Sequence, residues 1–265
     1  MQLLTDRITL DIDPERGGRV AQLWFDGVPV LVGAADVPTS MLGPGGEIPA
    51  TAWGSYPMVP WAGRVRRGRF LFDGNEHRLP INMGEHAIHG TGFTDLWSAE
   101  ATTSNAARLS VDLPADHRWP FGGRAVQTFT IDDTGVEMVM EVTAGTRGFP
   151  VSFGWHPWFR KPERIRFEPT RMYRRDADGI AVDELIEVPA GPWDDCFVNT
   201  HPIEVTISGI DLRLTSDCTR WVVYDQPDHA TCIEPQTGPP NAFTIEPRIL
   251  LPGCSFSAWY RIDPA

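Results

Sequence analysis

The chain has 265 residues, 42% of them hydrophobic, with 25 Gly and 24 Pro scattered along its length rather than gathered in a tail. Its formal charge of -12, broken only by the basic run Arg64 to Arg69, argues against a nucleic-acid partner, because phosphate backbones would mostly be repelled. The amino-terminal MQLLTDRITLDID carries charges near its start and no window approaches the roughly 18 apolar residues of a membrane span, so a soluble, cytoplasmic protein with no membrane partner is expected.

Many short elements joined by tight turns, with enough apolar content for a substantial core, predict an all-β protein folded as one domain over residues 1–265. Cys196, Cys218, Cys232 and Cys254 are widely spaced and form no CxxC pair, so buried free thiols are expected rather than a zinc or redox centre.

Alternation begins at once, with Ile8, Leu10 and Ile12 opposed to Thr9 and Asp11 as in a half-buried strand. After Gly17-Gly18, RVAQLWF and VPVLV flank Asp26-Gly27, a pair that supplies the positive φ angles of a two-residue hairpin turn. Pro38 to Pro60 lacks a sustained period and reads as a long loop or short strands near one edge. RFLF, Asp73-Gly74-Asn75 and HRLP predict a second hairpin. Asn82 to Trp97, holding His86 and His89, reads as a loop, as does Phe153 to Phe159 around His156. LSVDL, VQTFTI, VEMVMEV, IRFEP, IEVTISG, IDLRLTS, WVVYD and SFSAWYRI complete the series of short strands. Helical spacing is never sustained for three turns and no repeat recurs, which favours a large sandwich over a propeller or solenoid.

The chemistry concentrates in His89 of HGTG, His156 of WHPWF and Glu234 of EPQTGPP. Near Glu234, Pro235, Pro239 and Pro240 restrict the backbone and can hold a carboxylate in one place, in a loop entered from an apolar strand. Histidine donates a proton near neutrality while a carboxylate accepts one, so this pair is sufficient to open a cyclic hemiacetal. No dinucleotide fingerprint, P-loop, HExxH or cysteine cluster is present, and neither a cofactor nor a metal is expected; spacing offers no pattern for a metal site of His89, His156 and Glu234.

The Gly17-Gly18 turn, Arg64-Val65 before GRFLFDG, His89-Gly90, GWHPWF at Gly154 to Phe159, DDCF at Asp194 to Phe197, and EPQTGPPNAF with the closing LLPGCSFSAWYRI resemble the aldose 1-epimerase (galactose mutarotase) family, in its compact bacterial branch. The resemblance implies a large antiparallel β-sandwich with few short helices, the galactose mutarotase-like supersandwich. It also implies a cofactor-independent isomerase that interconverts α and β anomers of a free aldohexose such as glucose or galactose. In that reading Glu234 is the general base at the anomeric hydroxyl and His156 the acid at the ring oxygen. His89, Arg64 and Asp194 bind the sugar, with Asp195 the alternative to Asp194. The chain departs from the family at Gly63, where Asn is usual before the arginine, and at Thr91, where a second Gly is usual. Trp53, Trp61, Trp155, Trp158 and Trp193 are candidates to stack on the sugar, and a monomer or homodimer is expected. The alternatives are a hexose-6-phosphate 1-epimerase, with Arg66, Arg67 or Arg69 on the phosphate, and a catalytically silent sugar-binding protein on the same fold.

Overall fold

In the computed structural model, which describes residues 1–265, the chain forms antiparallel sheets of 11 and 8 strands together with three two-stranded ribbons. The larger sheet runs in the order Gln2–Leu4, Ile8–Asp13, Arg19–Phe25, Ser55–Met58, Gly154–Arg160, Ala230–Gln236, Arg220–Tyr224, Asp194–Val198, Arg171–Arg175 and Ala181–Ile186, with Val28–Pro29 paired to Arg19–Phe25. The smaller runs Ser98–Thr102, Ala106–Asp112, Arg124–Asp132, Gly135–Thr143, Ser255–Pro264, Ile210–Ser216, Ile203–Ile207 and Arg164–Arg166. Helix is confined to Ala242–Ile245 and short 3-10 turns, and no helix is long and apolar enough to cross a membrane.

Local chemistry explains the hairpins. Asp26 and Gly27 have φ of 50° and 79°, and Asp73 and Gly74 have 49° and 72°, the mirror-image turn that matches the twist of the strands it joins. Alternation then decides which side chains go inside: Gly135–Thr143 buries every second residue, and its inward face meets the larger sheet. Trp155 and Trp221 of the larger sheet each lie 6.0 Å, ring to ring, from Tyr260 of the smaller. All three are fully buried, and each such side chain contributes about 1.5–3 kcal/mol of apolar burial. Odd-numbered Trp155, Ile233 and Trp221 therefore glue the sheets together, while their even-numbered neighbours point to the opposite face.

Two segments differ from the sequence expectation. Ser55–Met58 is not near an edge but in the middle of the larger sheet, and Gly154–Arg160 is a strand rather than a loop. Their Gly and Pro content suggested a loop, yet the glycine is there for proximity: a Cβ on Gly154 would fall 2.2 Å from the Pro235 carbonyl oxygen. Gly154–Arg160 pairs with Ala230–Gln236 at Gly154 and Gln236 and again from Trp158 and Cys232 onward. Between these points stand Pro157 and Pro235, which have no amide hydrogen to give a ladder. The Asn82 to Trp97 segment is mostly loop, but Ala87–Ile88 pairs with Arg64–Val65.

Gly90 fixes that loop to the sheet. Its φ is 76°, Thr91 and Gly92 donate their amide hydrogens to the Val59 carbonyl at 2.9 and 3.0 Å, and a Cβ at Gly90 would sit 1.9 Å from the same oxygen. Gly90→Ala is expected to cost on the order of 2–4 kcal/mol through left-handed strain and overpacking. Urea unfolding checks this; a loss below about 1 kcal/mol would show that the close approach is not needed.

Candidate active site

The register of the larger sheet builds one face into a site. Tyr56 pairs with His156, Val222 with Glu234, and Cys196 with Val222; His156 falls opposite Glu234 between the recorded pairs Gly154–Gln236 and Trp158–Cys232. The neighbouring row is Trp158, Cys232, Tyr224 and Asp194. The even-numbered face thus carries Tyr56, His156, Trp158, Glu234, Gln236, Val222, Tyr224 and Asp194 into one cavity of about 300 Å³. Arg64, His89, Gly63 and Pro240 close it from segments outside that sheet.

The structure brings together all five residues singled out from the sequence: Glu234, His156, His89, Arg64 and Asp194. Glu234 lies inside the strand Ala230–Gln236, not in the loop beyond it. Its Oε1 is 3.2 Å from His156 Nε2, and its Oε2 accepts a hydrogen bond from Gln236 Nε2 at 3.0 Å. His156 stacks on Tyr56 at 4.6 Å, its Nε2 faces Glu234, and its Nδ1 has no hydrogen-bond partner. His89 has φ of 63°, a conformation that non-glycine residues seldom adopt. Its Nδ1 accepts from the Gly63 amide at 3.3 Å, so its Nε2 is left as the donor. Arg64 sits on the two-residue strand Arg64–Val65, and the Arg64 carbonyl accepts from the Asn241 amide at 2.7 Å, tying the PPNAF loop to it.

Asp194, rather than Asp195, lines the cavity, as strand alternation requires. Arg175 holds both: its NH1 donates to Asp194 Oδ2 at 3.1 Å and its Nε lies 2.8 Å from Asp195 Oδ1. Arg66 does not continue the strand of Arg64, which ends at Val65, and a 3-10 turn begins at Arg66. The Arg66 guanidinium is engaged by Asp176 and Asp178, and Arg69 lies 4.0 Å from Glu76. His86 is buried and accepts from the Arg67 amide at 3.1 Å. Of the candidate tryptophans, Trp158 alone lines the cavity; Trp61 and Trp155 belong to the core between the sheets.

Tyr56 and Tyr224 lacked any sign in the sequence, whereas Gln236 could have been found two residues after Glu234 on the same strand face. Arg19 was also missed. Its guanidinium is fully buried with no carboxylate on it, donating to the carbonyls of Arg16, Ala50, Trp53 and Phe93, and it lies 4.2 Å from the Trp53 ring and 5.4 Å from that of Tyr56.

Burial dominates the electrostatics. It drives the His156 pKa down to about 3, assisted by the Arg19 and Arg64 cations, and drives that of Glu234 well above the ordinary 4.5, assisted by Asp194 and opposed by Gln236 and Arg64. Burial, with His156 and Arg64, likewise holds His89 well below 6.5, and burial raises Asp194 against the pull of Arg64 and Arg175. Loss of water thus favours the uncharged form of each group in the central pair.

The sequence profile of the aldose 1-epimerase family matches residues 13–263. The chain is 25% identical over 236 residues to the uncharacterised protein YihR of Escherichia coli K12, spanning 77% of this chain and 76% of that one. It is 30% identical to the galactose mutarotase of Mus musculus over 102 residues, 37% of this chain and 29% of the relative. A putative aldose 1-epimerase of Escherichia coli K12 shares the fold with a TM-score of 0.82 at 19% identity, covering 99% of this chain and 97% of that one. The galactose 1-epimerase of Lactobacillus acidophilus does so with 0.80 at 16% identity, covering 99% and 92%.

A carboxyl group whose folded pKa is raised opposes folding once it ionises: below about pH 4 both states hold the proton, and above the folded pKa the full cost of burying the charge is felt. Glu234→Gln is therefore expected to stabilise the protein by about 0.5–2 kcal/mol at pH 8, with the gain vanishing near pH 4. Denaturant melts at both pH values check this, and an equal gain at both would rule out the charge as its source.

Proposed function

The chain belongs to the aldose 1-epimerase family, and from that premise we propose that it interconverts the α and β anomers of a free aldohexose such as glucose or galactose. The observation that carries this reading is the 3.2 Å approach of His156 and Glu234 in a cavity of sugar size. The anomeric hydroxyl and the ring oxygen are bonded to the same carbon, so the base for one and the acid for the other must be close neighbours.

Glu234 takes the proton of the anomeric hydroxyl while the bond from C1 to the ring oxygen breaks. Its electron pair goes to the ring oxygen, which takes a proton from His156 Nε2. The open-chain aldehyde rotates about C1–C2. Closure then runs the steps backwards: His156 recovers its proton from the hydroxyl that attacks the carbonyl, and Glu234 returns its own to the new anomeric oxygen. Asp194 accepts from sugar hydroxyls, Arg64 and His89 Nε2 donate to sugar oxygens, and Trp158 offers a ring face.

The pKa directions revise the simple expectation of a protonated His156 waiting beside an ionised Glu234. Carboxylate with imidazolium and carboxylic acid with imidazole hold the same number of protons, and burial favours the second. The competent protein is the pair with one proton. It is lost on the acid side when the pair takes a second proton, and on the alkaline side when it gives up its last.

A phosphorylated sugar is disfavoured by the same geometry. Arg66 and Arg69 have carboxylates beside them, and a dianion in the cavity would meet Asp194 and Glu234 with Arg64 as the lining arginine.

Two-dimensional exchange NMR on the anomeric signals of glucose, galactose and glucose 6-phosphate tests the activity. Acceleration is expected for the neutral sugars, falling about 10²–10⁴-fold in Glu234→Gln; no acceleration with folded protein would overturn the reading. In chelator-treated buffer, kcat/KM is expected to be bell-shaped, with an acid limb displaced from 6.5 towards about 3 and an alkaline limb above 4.5. An acid limb that stays at 6.5 would show His156 titrating as an ordinary imidazole and would sink the neutral resting pair.

A further inference from the structure

Cys232 has no part in the chemistry above, yet it stands on the strand and face of Glu234, two residues before it, between Trp158 and Tyr224 in the next row. It is a free thiol and fully buried. One ligand atom from each of His156, Cys232 and Glu234 lies within 4.8 Å of the other two.

That spacing has a coordination reading. A tetrahedral Zn²⁺ with bonds of about 2.0–2.1 Å to nitrogen and oxygen sets those two atoms about 3.3 Å apart. His156 Nε2 and Glu234 Oε1 are 3.2 Å apart. Sulfur at about 2.3 Å from the ion needs roughly 3.5 Å to each of the others, and one ligand atom of each residue already lies within 4.8 Å of the other two. His156 and Glu234 both open on the cavity, which leaves the fourth vertex to water or a sugar hydroxyl.

The geometry points to a site for a thiophilic divalent cation of the Zn²⁺ class, formed by His156, Cys232 and Glu234, whose occupation withdraws the acid and base from use and closes the cavity to sugar. One nitrogen, one sulfur and one carboxylate oxygen select Zn²⁺ or Cd²⁺ over Mg²⁺ and Ca²⁺, which prefer shells of oxygen. Cys232 binds as its thiolate, Glu234 as its carboxylate and His156 as the neutral imidazole, so the entering ion displaces the thiol proton and the carboxyl proton to solvent. The remaining thiols are placed differently: Val222 stands between Glu234 and Cys196, Cys218 belongs to the core between the sheets, and Cys254 is exposed. Coordination by these residues is independent of the epimerase reading; the inhibition rests on it.

The test uses the intact protein with Co²⁺ and Zn²⁺ alone as probes. Co²⁺ is expected to give a near-ultraviolet thiolate-to-cobalt charge-transfer band that Zn²⁺ abolishes. The band should disappear in Cys232→Ser and Cys232→Ala, checked for folding by near-ultraviolet circular dichroism, and persist in Cys254→Ser. Zn²⁺ should slow anomer exchange competitively with sugar. Either Cys232 variant should keep the metal-free rate while its Zn²⁺ inhibition constant rises at least roughly 10–100-fold, since loss of even an outer partner of a metal ligand costs that much. Absence of the band, a band that follows Cys254, or equal Zn²⁺ inhibition in the Cys232 variants would overturn the site. A band lost in Cys232→Ser from a protein with no epimerase activity would uphold the coordination while removing the proposed function.

Discussion

A carboxyl group and an imidazole, 2% and 6% exposed and 3.2 Å apart, are the constraint around which the rest of the molecule is arranged. Neither can carry charge there without cost, and a flexible loop could not hold both against water. The centre of an 11-stranded sheet can. Its far face is fastened to a second sheet by Trp155, Trp221, Ile233 and Tyr260, so the strands that present the pair are anchored from behind by a large area of apolar contact. Pro157 and Pro235 interrupt the ladder beside the pair, and the intact pairing at Gly154–Gln236 and Trp158–Cys232 brackets the interruption.

Labour is divided between strands and loops. His156, Glu234 and their neighbours Gln236 and Tyr56 come from three adjacent strands, whose positions are set by register. The groups assigned to the sugar's outer hydroxyls arrive separately: Arg64 from a two-residue strand, His89 from a strained turn, and Asp194 from a strand two places across the sheet from that of Glu234. Gly63 illustrates how tightly these are fitted. Its φ of 65° would suit Asn as well as Gly, but a Cβ there would lie 2.8 Å from Pro240. The departure from the family's usual Asn therefore goes with close packing of the PPNAF loop on the arginine segment.

Much of this was legible in the sequence because its causes are local. Asp-Gly turns declare hairpins through positive φ, and alternation declares faces. Ser55–Met58 and Gly154–Arg160 were not legible as strands because their Gly and Pro residues answer to neighbours far away in sequence: Pro157 faces Ser55, Pro57 faces Trp155, and Gly154 makes room for Pro235. Arg19 was hidden for a related reason. A buried cation normally advertises itself by a carboxylate partner, and this one is held by carbonyl groups from residues 16, 50, 53 and 93.

The alternation of faces also limits how such a protein can diverge. Inserting or deleting one residue within Gly154–Arg160 or Ala230–Gln236 would exchange the two faces at a stroke, turning Trp155 or Ile233 into the cavity and driving His156 or Glu234 into the seam between the sheets. Length change is therefore confined to the connections, such as residues 38–54, 79–86 and 225–229, several of which reach the cavity rim through Met41, Thr51, Met83 and Gln226. The shape of the cavity mouth is thus open to change by insertion and deletion at those places, while the strands behind it can vary only by substitution.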